Sequence, residues 1–303
     1  MRPEIPKNEK EFNKLMEEID DLLKNRNIPI YNRPIHAPIE IARRLKISFP
    51  LVPIKGEALP DVYHIDSLSA HIHNWYRRKY GDRLKAEMGI GKGIILIRND
   101  PWRVVYPMIF GTISFICEND IEKYKHFPPF TTNGTHPVIN ILNLIEDMSN
   151  DYAKSLTVTE LREIKRIFLS GLDALSYLDV IKLKPFIKEA KIDLENAVNN
   201  ILSQPAHYGQ SKYASLQFSE KLIKCSLSEK VGKFPGVHNL SELYCLAVRH
   251  GLSEFSTDLI MRVQCGAGAR YGQEMVNLDD AIIAHYSSLG ICFFIAKEIH
   301  LRK

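Results

Sequence analysis

Tyr213-Ala-Ser-Leu-Gln-Phe-Ser-Glu220-Lys-Leu-Ile-Lys224, followed by His238-Asn-Leu-Ser-Glu-Leu243 and Ala269-Arg270-Tyr271, decides how the last third of this chain is read. Leu216, Ile223 and Leu227 recur at i, i+7 and i+11, one face of a helix with a 3.6-residue period. Glu220 falls at i+4 on that same apolar stripe. A carboxylate there is costly to bury unless it is paired or hydrogen-bonded. Lys224, one turn on, is its nearest partner. Two readings stand side by side. One is a half-exposed helix edge with an ordinary surface ion pair; the other is a paired carboxylate inside a bundle, held by Lys224, Arg270 or Tyr271.

The next helix has a legible start. Asn239 is a good N-cap, Glu242 three residues later completes a capping-box-like pattern, and Gly251 is a plausible stop. A third helix is predicted over 258–271, with Ile260, Val263, Ala267 and Tyr271 as its stripe. Its small residues Gly266, Ala267, Gly268 and Ala269 predict close packing, since each interior glycine weakens a helix by roughly 1 kcal/mol. A fourth begins near Asn277, with Asp280 in its first turn and Ile282, Tyr286, Leu289, Phe293 and Ala296 along one face. The expectation is at least four helices between 193 and 299, packed antiparallel around Leu216, Ile223, Leu243, Val263 and Phe293.

These motifs resemble HEPN domains, a nucleotide-binding helical module. Residues 214–224, with Gln217, Glu220 and Lys224, are similar to that family's second helix. Asp193-Leu-Glu-Asn-Ala197 resembles its first, His238-Asn-Leu240 its His-x-Leu start of the third, and Ala269-Arg270-Tyr271 its Ala-Arg-Tyr ending of the fourth. The resemblance covers roughly residues 185–300. It implies a homodimer through the helical bundle, binding of a nucleotide or nucleic acid through Glu220, Lys224, Arg270 and Tyr271, and in some members pairing with a nucleotidyltransferase. It also implies a toxin–antitoxin or phage-defence setting. Many members are ribonucleases with an Arg-x(4–6)-His motif, in which the pair deprotonates the ribose hydroxyl and stabilises the phosphorane. This chain has no arginine followed by a histidine at that spacing: Arg249 and His250 are adjacent, and Arg270 precedes His285 by fifteen residues. A ribonuclease here needs a non-standard site, with His238, Arg270 and His285 as its candidates.

A chain of 303 residues suggests two domains, and a net charge of +4 neither requires nor excludes nucleic acid. The five cysteines have no metal-ligand spacing; Cys225, Cys245, Cys265 and Cys292 all fall in predicted helices, which points to free thiols and a reducing, cytoplasmic compartment. The N-terminus lacks the apolar core of a signal peptide. The apolar run 104–117 is too short to span a bilayer and holds Pro107 and Gly111. No membrane association and no cofactor are expected.

Residues 1–150 read as an α+β domain of unknown role, 151–184 as a helical connector and 185–303 as the all-α HEPN-like antiparallel bundle. The first domain opens with a helix over 9–24, with Phe12, Leu15 and Ile19 on one side. Six prolines between 26 and 60 predict turns with short elements, a helix over 39–45 and an extended piece over 48–54. A helix over 67–80 follows, then strands over 94–98, 104–106 and 108–117, with Asn99-Asp-Pro101 as a turn. Phe127-Pro-Pro-Phe130 and Thr131-Thr-Asn-Gly134 form a closing loop, 139–148 a connecting helix, and Thr157-Val-Thr-Glu160 a capping box that opens a helix over 161–178.

Three further constellations carry possible chemistry. His64, Asp66, His71 and His73 suggest a metal superficially, but on a helix His71 and His73 point about 200° apart, so surface and capping histidines are the better reading and no metal is expected. Gly89-Ile-Gly-Lys-Gly93 precedes a strand, whereas a phosphate loop follows one and opens a helix, so it reads as a glycine-rich turn. Between Trp75 and Arg103 stand eight cations, among them Arg77, Arg78, Arg83 and Arg98, against three acids, with Trp75, Tyr76, Tyr80 and Trp102 interleaved. Cations that track phosphates and aromatics that stack on bases make a single-strand surface, although Trp75 and Tyr76 also fit a helix's apolar face. The leading expectation is a noncatalytic module that binds a nucleotide or single-stranded nucleic acid; the alternatives are a ribonuclease with a non-standard site and a structural dimerisation module.

Overall fold

Asn8 closes the first helix in the computed structural model: its side-chain oxygen accepts the Glu11 amide at 3.0 Å, and α1 runs Glu9–Asn25. The structure describes residues 5–49, 63–84, 89–109, 111–123, 137–232 and 236–302. The chain divides into two units, Met1–Glu87 and Met88–Lys303. In the first, α1 is followed by α2 (Arg33–Leu45) and α3 (Ile65–Tyr80). α2 starts six residues earlier than the prolines suggested, because Pro34 sits in its first turn, where the missing N–H has no intrahelical acceptor to lose. Phe12, Met16, Ile19, Ile41, Leu68, Ile72 and Tyr76 form its core. Beside that core lies Asp20, which is buried. Burial works against its ionised form, but hydrogen bonds from Tyr80, Lys79 and Arg33 hold its carboxyl below the usual range. No strand occurs among the described residues of this unit; the extended piece expected over 48–54 runs outside them.

The strands belong to the second unit. β1 (Gly89–Ile97) and β2 (Asp100–Pro107) form an antiparallel hairpin. Arg98 and Asn99 both take positive φ, 52° and 65°, the two-residue turn whose twist matches that of the flanking strands. The turn therefore starts one residue before Asn99-Asp-Pro101. β3 (Ser114–Ile116) and β4 (Val138–Asn140) pair in parallel, so among the described residues of the strand expected over 108–117 only three belong to a strand. The helix expected over 139–148 is reduced to a single 3-10 turn, Ile141–Leu144. Its first residues pair with β3, and the buried Asn140 side chain accepts the Leu142 amide at 3.3 Å and donates to the Glu118 carbonyl at 2.7 Å, which turns the chain. The Phe127-Pro-Pro-Phe130 loop lies outside the described residues.

Eight α-helices follow among the described residues: α4 (Asn150–Lys154), α5 (Val158–Val180), α6 (Ile187–Leu202), α7 (Tyr208–Val231), α8 (Leu240–Arg249), α9 (Thr257–Val263), α10 (Ala267–Arg270) and α11 (Leu278–Leu301). Thr157 and Glu160 form the expected capping box, Asn239 accepts the Glu242 amide at 3.1 Å, and Asn277 and Asp280 form a second box. The helix expected over 258–271 is broken in two. Gln264 leaves helical geometry at ψ 131° and Gly266 starts α10 from an extended conformation. Leu216, Ile223, Leu243 and Val263 are buried as expected, whereas Phe293 is partly buried.

The hairpin belongs with these helices, so the boundary expected at 150 is corrected to 87/88, and residues 151–184 are no connector. Ile94 packs with Val198, Ile201 and Ile282, while Tyr106 stacks on Phe168 of α5 with ring centroids 5.3 Å apart. Glycines allow the close approach. A Cβ on Gly171 would lie 2.2 Å from the Tyr106 hydroxyl, and one on Gly93 2.8 Å from the same ring. The fold is thus mixed α and β with a helical C-terminal region. Among the described residues α11 alone is long and apolar enough to cross a bilayer, and 61% of its apolar window is buried. Replacing Ile223 by Ala is expected to cost roughly 2–5 kcal/mol in urea unfolding; a loss under about 1 kcal/mol would put Ile223 outside the core.

Candidate functional site

One face of α7 carries several of the polar residues singled out in the sequence. Tyr213, Gln217, Glu220 and Lys224 follow at i, i+4, i+7 and i+11, so they stand in one row. Glu220 and Lys224 are its buried members. The Glu220 carboxylate is the shared acceptor. Its Oε1 accepts from Lys224 Nζ at 2.6 Å and lies 3.0 Å from His238 Nδ1, and its Oε2 accepts from Gln217 Nε2 at 3.3 Å. The reading of a paired carboxylate inside the bundle therefore holds, with Lys224 as the expected partner and His238 and Gln217 as additional ones. His238 is carried to this place by the capped start of α8, one residue before Asn239. Its side chain is 77% exposed against 5% for Glu220. When Nδ1–H donates to the carboxylate, the ring is held in the tautomer whose Nε2 is an open acceptor.

Arg270 and Tyr271 do not reach Glu220. They stand at the other end of the same row, where the Arg270 guanidinium lies 5.6 Å from the Tyr213 ring centroid and 5.8 Å from that of Tyr271. Among the described residues Arg270 has no carboxylate within ion-pairing distance. α10 is drawn onto the start of α7 at Gly209, where any Cβ would lie 2.2 Å from the Ala269 carbonyl oxygen. Next to this contact is a cleft of about 620 Å³, lined by His207, Tyr208, Gln210, Arg270, Tyr271 and Glu274 among others. The first amides of α7, which have no intrahelical acceptor, border it. Tyr213 was missed in the sequence; its spacing to Gln217 and Glu220 was the available signal.

The other candidates are placed elsewhere. His285 is a core residue of α11 whose Nε2 accepts the Ile94 amide at 3.3 Å, and burial lowers its pKa from 6.5 to about 4. It meets neither His238 nor Arg270 in any described contact, which removes it from the non-standard ribonuclease set. Trp75 and Tyr76 are buried in the core of the first unit, so they are not free to stack on bases. Arg77, Arg78 and Arg83 are exposed there, Arg78 at 3.7 Å from Glu9. Arg98 belongs to the second unit and is spent on the fold. It donates to Glu160 at 2.6 Å and to the Ser155 carbonyl at 2.7 Å, tying the hairpin turn to the start of α5. Arg98 and the Thr157 cap together pull the Glu160 carboxyl down to about 2. The basic stretch is thus divided between two units and its central aromatics are core residues.

Two motifs remain. Gly89-Ile-Gly-Lys-Gly93 is strand β1, whose glycines admit Leu175 at Gly91 and Tyr106 at Gly93. His71 packs against the rings of Phe12 and Tyr63, and among the described residues no group of three His, Cys, Asp or Glu side chains is placed to hold a metal ion. No family model, curated protein or solved structure matches the chain.

Glu220→Gln should destabilise the protein by roughly 3–5 kcal/mol, because it removes the carboxylate that pairs with the buried Lys224 ammonium at 2.6 Å. Chemical denaturation measures this, and a loss within the roughly 0–1 kcal/mol of a surface pair would contradict the burial. His285 sets a pH dependence. Its folded pKa is depressed to about 4, so the unfolded chain takes up the proton first. The stability due to the neutral ring is full above the unfolded value of 6.5 and is lost as pH falls towards 4. Between neutral and mildly acidic pH the wild type should lose on the order of 1–2 kcal/mol more than His285→Gln. Parallel pH profiles would leave no role for the imidazole.

Proposed function

We propose that the α7 face binds a nucleotide, or the phosphate-bearing end of a single-stranded nucleic acid, without cleaving it. The observation that carries this is Arg270, a guanidinium without a carboxylate partner among the described residues, lying over Tyr213 and Tyr271 at the mouth of the cleft that opens on the start of α7. A phosphate there accepts from the guanidinium fork and from first-turn amides. The exposed ring of Tyr271 offers a stacking surface for a base. Gln217 and His238 continue the row with groups that read polar ring edges. The resemblance to HEPN domains supports the same face, since Glu220, Lys224, His238, Arg270 and Tyr271 all carry it; a nucleotidyltransferase partner and a defence setting rest on that resemblance alone.

A second reading has its own observation. A buried carboxylate that orients an exposed imidazole is the arrangement of a general base, so Glu220 and His238 are fitted to deprotonate a ribose hydroxyl in a ribonuclease.

One titration separates the two. Binding of a labelled single-stranded RNA is followed by anisotropy at two salt concentrations, with ATP as competitor. Wild type should bind, and Tyr271→Ala should lose about 1–3 kcal/mol. Arg270→Ala should reduce the slope of log K against log salt by about 0.7. Arg77→Ala/Arg78→Ala should leave affinity unchanged. Absence of binding to both RNA and ATP at low salt would end the proposal. Cleavage by wild type that is lost in His238→Ala would transfer the assignment to the second reading.

A further inference from the structure

A groove of about 380 Å³ runs between α5 and α11, outside the α7 site. The two helices lie side by side and point the same way. Tyr286 stands beside Arg166 and Glu163 at one end, and at the other Phe293 meets Tyr177 with ring centroids 5.7 Å apart. Ile167, Leu289 and Phe293 line the groove between these ends, so its occupant needs an apolar body.

The Arg166 end holds donors without acceptors. The Tyr286 hydroxyl accepts the Leu96 amide at 3.2 Å, and its own proton goes to no acceptor among the described residues. Burial pushes this phenol up to about 12, so it keeps that proton at neutral pH. Arg166 gives Nε and Nη2 to Glu163, at 2.8 and 2.6 Å, which leaves the Nη1 edge of the guanidinium open. A second phenol lies under the floor. Tyr106 is fully buried, and its hydroxyl is unpartnered among the described residues. Its oxygen fills the space a Gly171 side chain would take, 2.2 Å from where the Cβ would lie, and Gly171 lines the groove. A buried hydroxyl without a partner is unfavourable, and an acceptor brought to this end of the groove relieves it. The oxygens already there, those of Glu163 and Tyr286, each accept a bond. A carboxylate, which only accepts, is the head group that fits.

The other end is acidic. Asp173 is exposed on the rim and has no ion-pair partner among the described residues. It follows Arg166 by two turns, about 10.5 Å along the helix. A second carboxylate that far from the first would meet a like charge. We propose that this groove binds a small monocarboxylic acid with an apolar tail. The carboxylate accepts from Arg166 and Tyr286 above the Tyr106 hydroxyl, and the tail runs over Ile167 and Leu289 towards Phe293.

Calorimetric titration of the full chain with octanoate tests this. Octanoate should bind at a single site, and octylamine, of the same length with a cationic head, should not. Suberate, with a carboxylate at each end, should bind at least about tenfold more weakly than octanoate, and Asp173→Asn should narrow that gap to about threefold. Arg166→Gln should weaken octanoate by about tenfold, since it removes a charge-assisted hydrogen bond. Ser170→Phe, at an exposed position on the groove wall, should abolish binding by filling the space. All three substituted positions are exposed, and unchanged circular dichroism would show that each variant folds. Absence of octanoate binding at millimolar concentration overturns the proposal. So does equal affinity for octylamine or suberate, or octanoate binding that Arg166→Gln and Ser170→Phe leave unchanged.

Discussion

The carboxylate of Glu220 sits on the helix that every other part of the C-terminal bundle touches. α7 is surrounded by α6, α8, α9, α10 and α11, so a charge on its inner row cannot turn to solvent. Glu220 needs donors where it stands, and it takes them from two places, Lys224 and Gln217 on its own helix and His238 at the entry to α8. One buried charge therefore links the register of α7 to the position of α8. A pair of this kind adds little net stability over an apolar core of the same shape, but either partner alone is strongly unfavourable. The arrangement then allows one docking of α8 and disfavours slipped ones.

The hairpin obeys a different constraint. β1 and β2 cannot bury both faces by pairing with each other, and the helices supply the second surface. Tyr106 reaches Phe168 only because Gly171 and Gly93 carry no side chain, and the Ile94 amide in the middle of β1 is satisfied by a histidine from α11. A neutral imidazole can accept that bond in a dry site; a protonated one cannot. The same burial that makes His285 useful to the fold withdraws it from solution chemistry.

The face at the start of α7 and the groove between α5 and α11 differ in kind. At the start of α7 the exposed groups are a guanidinium, phenol rings and backbone amides, which suit a charged planar ligand. Along α5 and α11 they are apolar side chains with Arg166 and Asp173 at the rim. The Glu220–Lys224–His238 cluster stands on the same row of α7 as Tyr213.

What the sequence by itself determined is whatever a few neighbouring residues decide. Thr157 with Glu160, Asn239 and Asn277 with Asp280 mark helix starts, because a cap is a contact between residues three apart. The period of Leu216, Ile223 and Leu227 marks the inner face of α7 and exposes Glu220 as its one charged intruder, for the same local reason. Tertiary structure alone decided the rest. Whether Trp75 stacks on a base or on Ile72's neighbours, and whether His285 faces solvent or β1, depends on surfaces brought from far along the chain. The division at 87/88 rather than 150 came from the apolar face of the hairpin, which has no partner until α5, α6 and α11 enclose it. The break at Gln264 and the meeting of Tyr213 with Arg270 belong to the same class. Local signals end where a residue's partner lies more than a turn or two away, because from there on burial, and not spacing, sets the energy of the contact.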